Sequence, residues 1–162
     1  MKAVPAPRGA VLLAVLALSC ASDGEAAQYE DGAAVFSASC SVCHGARGAG
    51  TPGIAPPLLA NPARYATLPE GRRQLALTVL YGMFGDITVE QKHYNFKMPE
   101  FSQLEDARLA AVLNYVVFEL AHAESGVKPI EASEIAAERS KGLDGSAVRE
   151  HRMQLIEALG GS

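Results

Sequence analysis

Cys40-Ser41-Val42-Cys43-His44 constrains this chain more than any other stretch of it. Two cysteines three positions apart, with a histidine directly after the second, form a C-x-x-C-H run, the pattern of a c-type haem attachment site. The chemistry needs that spacing. Thiols about one helical turn apart can each add to one of the two vinyl groups on a single porphyrin edge. The adjacent imidazole then lies over the haem face and supplies the proximal nitrogen to iron. The plainer readings are a redox C-x-x-C pair or half of a zinc site. A redox pair is expected near a βαβ pattern and a zinc site needs a second Cys/His pair; the sequence offers neither. The pentapeptide therefore predicts one covalent haem c on Cys40 and Cys43, with His44 on the metal.

The third cysteine belongs to a different signal. Lys2 and Arg8 form a positive start, residues 10–18 form a short apolar run, and small residues follow. That is the layout of a secretory signal peptide over residues 1–21. The apolar run is far too short to span a bilayer by itself. Leu16-Ala17-Leu18-Ser19-Cys20 resembles a bacterial lipobox, with Ala17 where leucine is usual. Two routes stay open: acylation of Cys20, which tethers the protein to a membrane, or cleavage after Ala21 or near Ala26-Ala27, which discards it. Either leaves no free thiol in an oxidising compartment. Export also suits c-type haem and places the protein in the periplasm.

The chain has 162 residues, 49% hydrophobic and 20% charged, as expected of one globular domain with an appendage. Its 14 basic and 18 acidic residues give a net charge of −4. Cleavage near residue 21 removes Lys2 and Arg8 but no acid, leaving 12 against 18. An acidic mature chain argues against nucleic-acid binding. It suits a partner with a positive docking patch, and solubility explains it equally well.

Along the chain, residues 22–28 read as a solvated linker. A helical pattern over 29–40, with Ala33 and Phe36 on its apolar face, leads straight into the motif. A glycine-rich loop follows over 45–53, and Pro56-Pro57-Leu58-Leu59 reads as extended. Pro69-Glu70-Gly71 starts a second helix, running over about 72–81 with Leu75, Val79 and Leu80 as its apolar face, and a small hairpin is predicted over 86–94. Ser102-Gln103-Leu104-Glu105 has the form of a capping box ahead of the longest helix, 105–122. There Leu109, Val112, Leu113, Val116, Val117 and Leu120 recur at helical spacing. Two short helices near 134–141 and 148–159 complete the chain. The expectation is an all-α body over 29–123, with three core helices around one haem, and a helical extension over 124–162. A body that small buries a modest core, and a covalent porphyrin supplies a large apolar centre for it.

The iron of an electron carrier normally has a second protein ligand, and Met/His ligation raises the reduction potential. Met83, Met98, Met153, His93, His122 and His151 are the candidates. Met98 is favoured: it sits in a loop, and Pro99 fixes the backbone just after it. His93, close in sequence, is its rival. Met83 reads as a packing residue, and His122 and His151 as surface histidines.

Over residues 32–121 the chain resembles the class I cytochrome c family, in particular bacterial monohaem carriers and subunits. Gly32-x-x-x-Phe36 is similar to the family's N-terminal helix signature, and Val112-x-x-Tyr115 to the matching contact on the last core helix. The resemblance implies that the Pro56 carbonyl accepts a hydrogen bond from His44 and that Leu58 packs on the proximal haem face. It also implies that the methionine of Lys97-Met98-Pro99 is the distal ligand. Lys97 stands where a small or apolar residue is common. The segment after residue 123 runs past the usual end of the domain, and packs either on the body or on a partner.

The leading function is a periplasmic electron carrier between respiratory donors and acceptors, with no catalytic acid, base or nucleophile. Paired carboxylates such as Glu105-Asp106 are explained as charge in a first helical turn. One alternative is a cytochrome subunit of a membrane-associated dehydrogenase or terminal oxidase complex, which the long tail favours. Another is a haem enzyme or gas sensor with an open sixth position, which requires Met98 not to ligate.

Overall fold

The protein is described by a computed structural model that covers Met1 and residues 31–160. The signal segment with its Cys20, the 22–28 linker and residues 161–162 lie outside the described residues. The first helix, α1, runs over 31–44; it widens to a π-helical turn across Phe36–Cys40 and closes with Ser41–His44. Its counterpart α4 spans 106–120, regular over Asp106–Asn114 and π-helical over Tyr115–Leu120.

These two helices cross at Gly32 because no side chain fits there. A Cβ on Gly32 would sit 2.3 Å from the Ala111 carbonyl oxygen and 2.8 Å from Tyr115 Cβ. One turn further on, the Phe36 and Tyr115 rings meet with centroids 5.5 Å apart, tilted by 51°. Val35, Phe36, Val112 and Val116 seal the crossing as one buried cluster. Burial of such side chains is worth roughly 1.5–3 kcal/mol each.

Two further helices close the body. The short α2, Asn61–Ala66, buries Pro62, Tyr65 and Ala66. Six residues are too few to show a helical period, which is why the sequence pattern did not reveal it. In α3, Pro69–Tyr81, the residues Pro69-Glu70-Gly71 form the first turn, where the sequence reading starts the helix. Pro69 in its first turn loses no hydrogen bond there and presets φ for the helix. The expected hairpin is present: β1, Ile87–Val89, pairs antiparallel with β2, Lys92–Tyr94. Its two-residue turn puts Glu90 and Gln91 at φ 49° and 63°, the twist that matches a tight hairpin.

The capping box expected at Ser102 does not form. Helix α4 begins at Asp106 with Glu105 as the extended N-cap residue, and no side chain caps it. Phe101 N–H is bonded to the Val79 carbonyl at 2.9 Å and Leu104 N–H to the Phe101 carbonyl at 2.9 Å. Residues 102–104 are thus held in a turn outside the helix. The Ser102 carbonyl accepts instead from Arg139 Nη1, at 2.6 Å.

Arg139 belongs to the extension, whose helices are α5, Ala132–Arg139, and α6, Gly145–Ala158. Asp144 caps α6, accepting from the Ser146 and Ala147 amides at 2.9 Å each. Ile130, Ile135 and Leu155 enter the same core cluster as Leu80, Leu109, Leu113 and Val117. Asn114 is fully buried, yet both its amide groups are satisfied by Ile130: Nδ2 donates to the carbonyl (3.0 Å) and Oδ1 accepts from N–H (2.7 Å). Arg72 on α3 reaches the Lys128 and Pro129 carbonyls and both oxygens of Glu134. Of the two fates open to the tail, it packs on the body.

Candidate haem site

Helix α1 ends at the motif and delivers its three chemical groups to one edge of a cavity between α1, α3, α4 and the hairpin. Cys40, Cys43 and His44 all line it. The 45–53 loop then doubles back through bonds from Gly50 N–H to the His44 carbonyl (2.8 Å) and Leu58 N–H to the Gly48 carbonyl (2.8 Å). That return brings the Pro56 carbonyl to 2.9 Å from His44 Nδ1. A carbonyl can only accept, so Nδ1 carries the proton and the ring's lone pair lies on Nε2. The latter has no hydrogen-bond partner among the described residues. Burial pushes the His44 pKa down, partly opposed by the Pro56 bond; the neutral imidazole, the form that binds a metal, is favoured. Leu58 lines the same cavity and packs against the Phe36 cluster.

The opposite wall comes from residues 82–101. Met83 and Met98 pair through their backbones, with N···O distances of 3.2 and 2.8 Å, and both line the cavity. Gly82 (φ 69°) makes this pairing feasible, since a Cβ there would lie 2.4 Å from the Met98 carbonyl oxygen. Met83 packs onto the Ile87, Val89 and Tyr94 cluster, in keeping with its expected packing role. His93 is on the outer face of the hairpin, exposed, with Nδ1 3.3 Å from Thr88 Oγ1, and does not line the cavity. Exposed His122 and Met153 are also outside it. Lys97 lines the wall, its Nζ 5.8 Å from the Phe84 ring centroid.

The cavity encloses about 1420 Å³ of space free of protein atoms, the solvent at its open mouth included. Its walls are mainly apolar: Phe36, Leu58, Leu75, Val79, Tyr94, Phe101, Val112, Leu113 and Val116 among others. The two plainer readings of the cysteines fit poorly. Burial, with Cys43 beside it, pushes the Cys40 thiol up to about 11, whereas redox pairs depend on a depressed pKa. The pair also sits at the C-terminal end of α1, where the helix dipole opposes a thiolate. No cluster of three or more His, Cys, Asp or Glu side chains suited to a metal ion occurs among the described residues. The donor set and the apolar walls do fit a haem.

Two features escaped the sequence reading. His151, read there as a surface residue, is half-buried. Its Nδ1 donates to Gln74 Oε1 at 2.6 Å and its Nε2 lies 3.3 Å from Glu70 Oε2, joining α6 to α3. Arg152, one residue on, is buried and lines the cavity, and its Nη1 has no partner. Nothing in a short amphipathic tail helix signals either contact.

Helices crossing at a glycine, and a C-x-x-C-H run closing one edge of an apolar cavity, define a c-type cytochrome. Residues 29–117 match the cytochrome c family model, and the chain belongs to that family, as a class I monohaem member. It is 38% identical to a cytochrome c-552 of Thermus thermophilus over 134 residues, 82% of this chain and 90% of that protein. A second cytochrome c-552 of the same species is 39% identical over 127 residues, 77% of this chain and 96% of the relative. An alignment of 134 residues cannot be contained within 1–117, so the similarity continues into the extension. The family binds haem c covalently and transfers electrons without acting as an enzyme. This chain is an electron carrier of that kind. Among the described residues no helix is long and apolar enough to cross a membrane.

Proposed function

We propose that the protein is a periplasmic monohaem carrier that shuttles electrons between respiratory redox proteins, with Cys40 and Cys43 forming the thioether links and His44 and Met98 the axial ligands. One observation carries this reading: a single apolar cavity gathers both thiols, a neutral imidazole held by Pro56 and the loop methionine Met98. The haem, when bound, supplies one-electron chemistry at its iron.

The chain's residues do the rest. Pro56 fixes the His44 ring and raises its basicity through the Nδ1–H bond. Leu58 packs on the proximal side. Met98, held by Met83 on one side and Pro99 on the other, offers a soft sulfur that favours the reduced metal. The apolar walls exclude water. Val42 is 83% exposed between the two cysteines, so the attachment edge lies at the surface, where a transient partner can approach. Electron transfer through that edge suits a small, short-lived interface.

The tail was the feature favouring a fixed subunit of a larger complex. Ile130, Ile135 and Val148 turn its apolar face onto the chain's own core, and that support falls away. Attachment to a membrane through Cys20 is the variant of the reading in which the carrier stays on the outer side of a bilayer.

A pyridine haemochrome spectrum with an intact mass of the exported protein tests the proposal. One haem c per chain is expected, with a ferric near-infrared charge-transfer band from sulfur ligation. Colourless protein from a host competent in haem attachment sinks it, and a high-spin ferric spectrum removes Met98 from the iron. The same mass reads whether Cys20 is acylated.

A further inference from the structure

We propose that Arg152, on the C-terminal extension, is the counter-ion of a carboxylate brought into the cavity by the bound haem c, one of its two propionates. The inference rests on the reading above that a haem fills this cavity. It makes the extension part of the cofactor site.

Arg152 is 5% exposed, and its Nη1 is the single fully buried side-chain nitrogen or oxygen without a partner among the described residues. Arg152 lines the same cavity as His44 and Met98. Its other contacts are neutral. Nη2 reaches the Thr88 carbonyl of β1 at a long 3.5 Å, and the Tyr65 hydroxyl of α2 lies close by. Gln74 of α3 also faces the cavity, with its amide already given to Thr78, Val148 and His151. Among the described residues the charged group acting on it is Arg149, a cation one turn earlier on α6. No carboxylate among the described residues pairs with it or contributes to its electrostatics.

A buried cation with no anion is a heavy penalty, and proteins rarely retain one unpaired. Burial accordingly pushes the Arg152 pKa down. The cavity's chemistry calls for an occupant with a large apolar body and an anionic edge. Haem c is such a molecule, and a guanidinium is the side chain whose fork of donors matches a carboxylate. A water on Nη1 is the competing account, and it satisfies the hydrogen bond without supplying charge.

The test uses the full-length, haem-loaded protein and its Arg152→Gln and Arg152→Lys variants. Haem content and the sulfur–iron charge-transfer band are recorded first in the parent protein, where absence of attached haem is read as failure of the functional reading and not of this one. In Arg152→Gln the propionate charge loses its counter-ion, and the ferric form gains stability. The reduced/oxidised equilibrium is expected to shift about three- to tenfold toward ferric, or about 30–60 mV for a one-electron couple. Arg152→Lys keeps the charge and is expected to hold the potential near that of the parent while altering the propionate bending band in the resonance Raman spectrum. An unchanged potential in Arg152→Gln, with haem and sulfur ligation intact, overturns the proposal. Should Arg152→Gln fail to load haem, the Lys variant decides alone: an unaltered propionate band overturns the proposal.

Discussion

The His44 and Met98 walls of the cavity are secured by different kinds of contact. On the His44 side the bonds are short-range: His44 meets Pro56 twelve residues on, and Gly48 meets Leu58. On the Met98 side the wall is held from a distance. Gly145 accepts from Phe84 N–H at 3.2 Å, and Arg149 Nε donates to the Asp86 carbonyl at 2.6 Å. One wall is built by a loop folding on itself, and the other depends on a helix some 60 residues away in sequence. A site assembled this way can lose its Met98 wall while keeping its His44 one.

Replacing the two proposed ligands breaks the comparison most sharply. His44→Ala is expected to abolish stable haem loading, read from the Soret absorbance of the exported protein. Met98→Ala should stay coloured but lose the near-infrared band and fall in potential by on the order of 0.1–0.3 V, within the roughly 0.8 V that axial ligands span. Equal loss of haem in both variants would show that the walls are not independent.

Next in size is Ile135→Ala, which leaves a cavity where α5 meets the core and should cost about 2–5 kcal/mol. Because α6, which holds the distal wall, follows directly on α5, heating this variant should bleach the sulfur–iron band before the far-ultraviolet helix signal melts. Coincident transitions argue against a separately labile wall. Gly32→Ala tests the opposite side. Its Cβ would press on the Ala111 carbonyl, and overpacking at the α1–α4 crossing should cost about 1–3 kcal/mol. Here both signals should fall together, since the crossing belongs to the whole body.

The smallest effect is electrostatic. Hydrogen bonds from Arg72 hold the Glu134 pKa below its ordinary 4.5, with burial opposing. A depressed carboxylate pKa stabilises the fold above the unfolded value, and that contribution is lost as pH falls through the folded one. Denaturant midpoints should therefore drop from about pH 4.5 downward, and Glu134→Gln should flatten that slope. The side chain is 35% exposed, so solvent screening limits the contribution to about 1 kcal/mol or less.

How much of this was legible in the residues follows the same division. Cys40, Cys43 and His44 lie within one helical turn, and their spacing alone announces the chemistry. Residues Gly32, Phe36, Val112 and Tyr115 carry the helix crossing, and Ile87, Val89 and Tyr94 the hairpin. Besides Arg152, three features were misread or missed. Ser102-x-x-Glu105 has the composition of a cap, but Phe101 is tied to α3 and the helix starts later. Helix α2 is too short to display a period. His151 has the pattern of a surface histidine until α6 is laid against Gln74 and Glu70.

The amino-acid order by itself determined the attachment motif, the core helices and the family, because each is written in spacings of three or four residues along one helix or loop. Only the tertiary structure decided that the extension closes the distal wall, that Asn114 is satisfied by Ile130, and that Arg152 lines the cavity with Nη1 buried and unpartnered. Those outcomes depend on which distant surfaces exclude water together, and no local periodicity encodes the partner of a buried polar group.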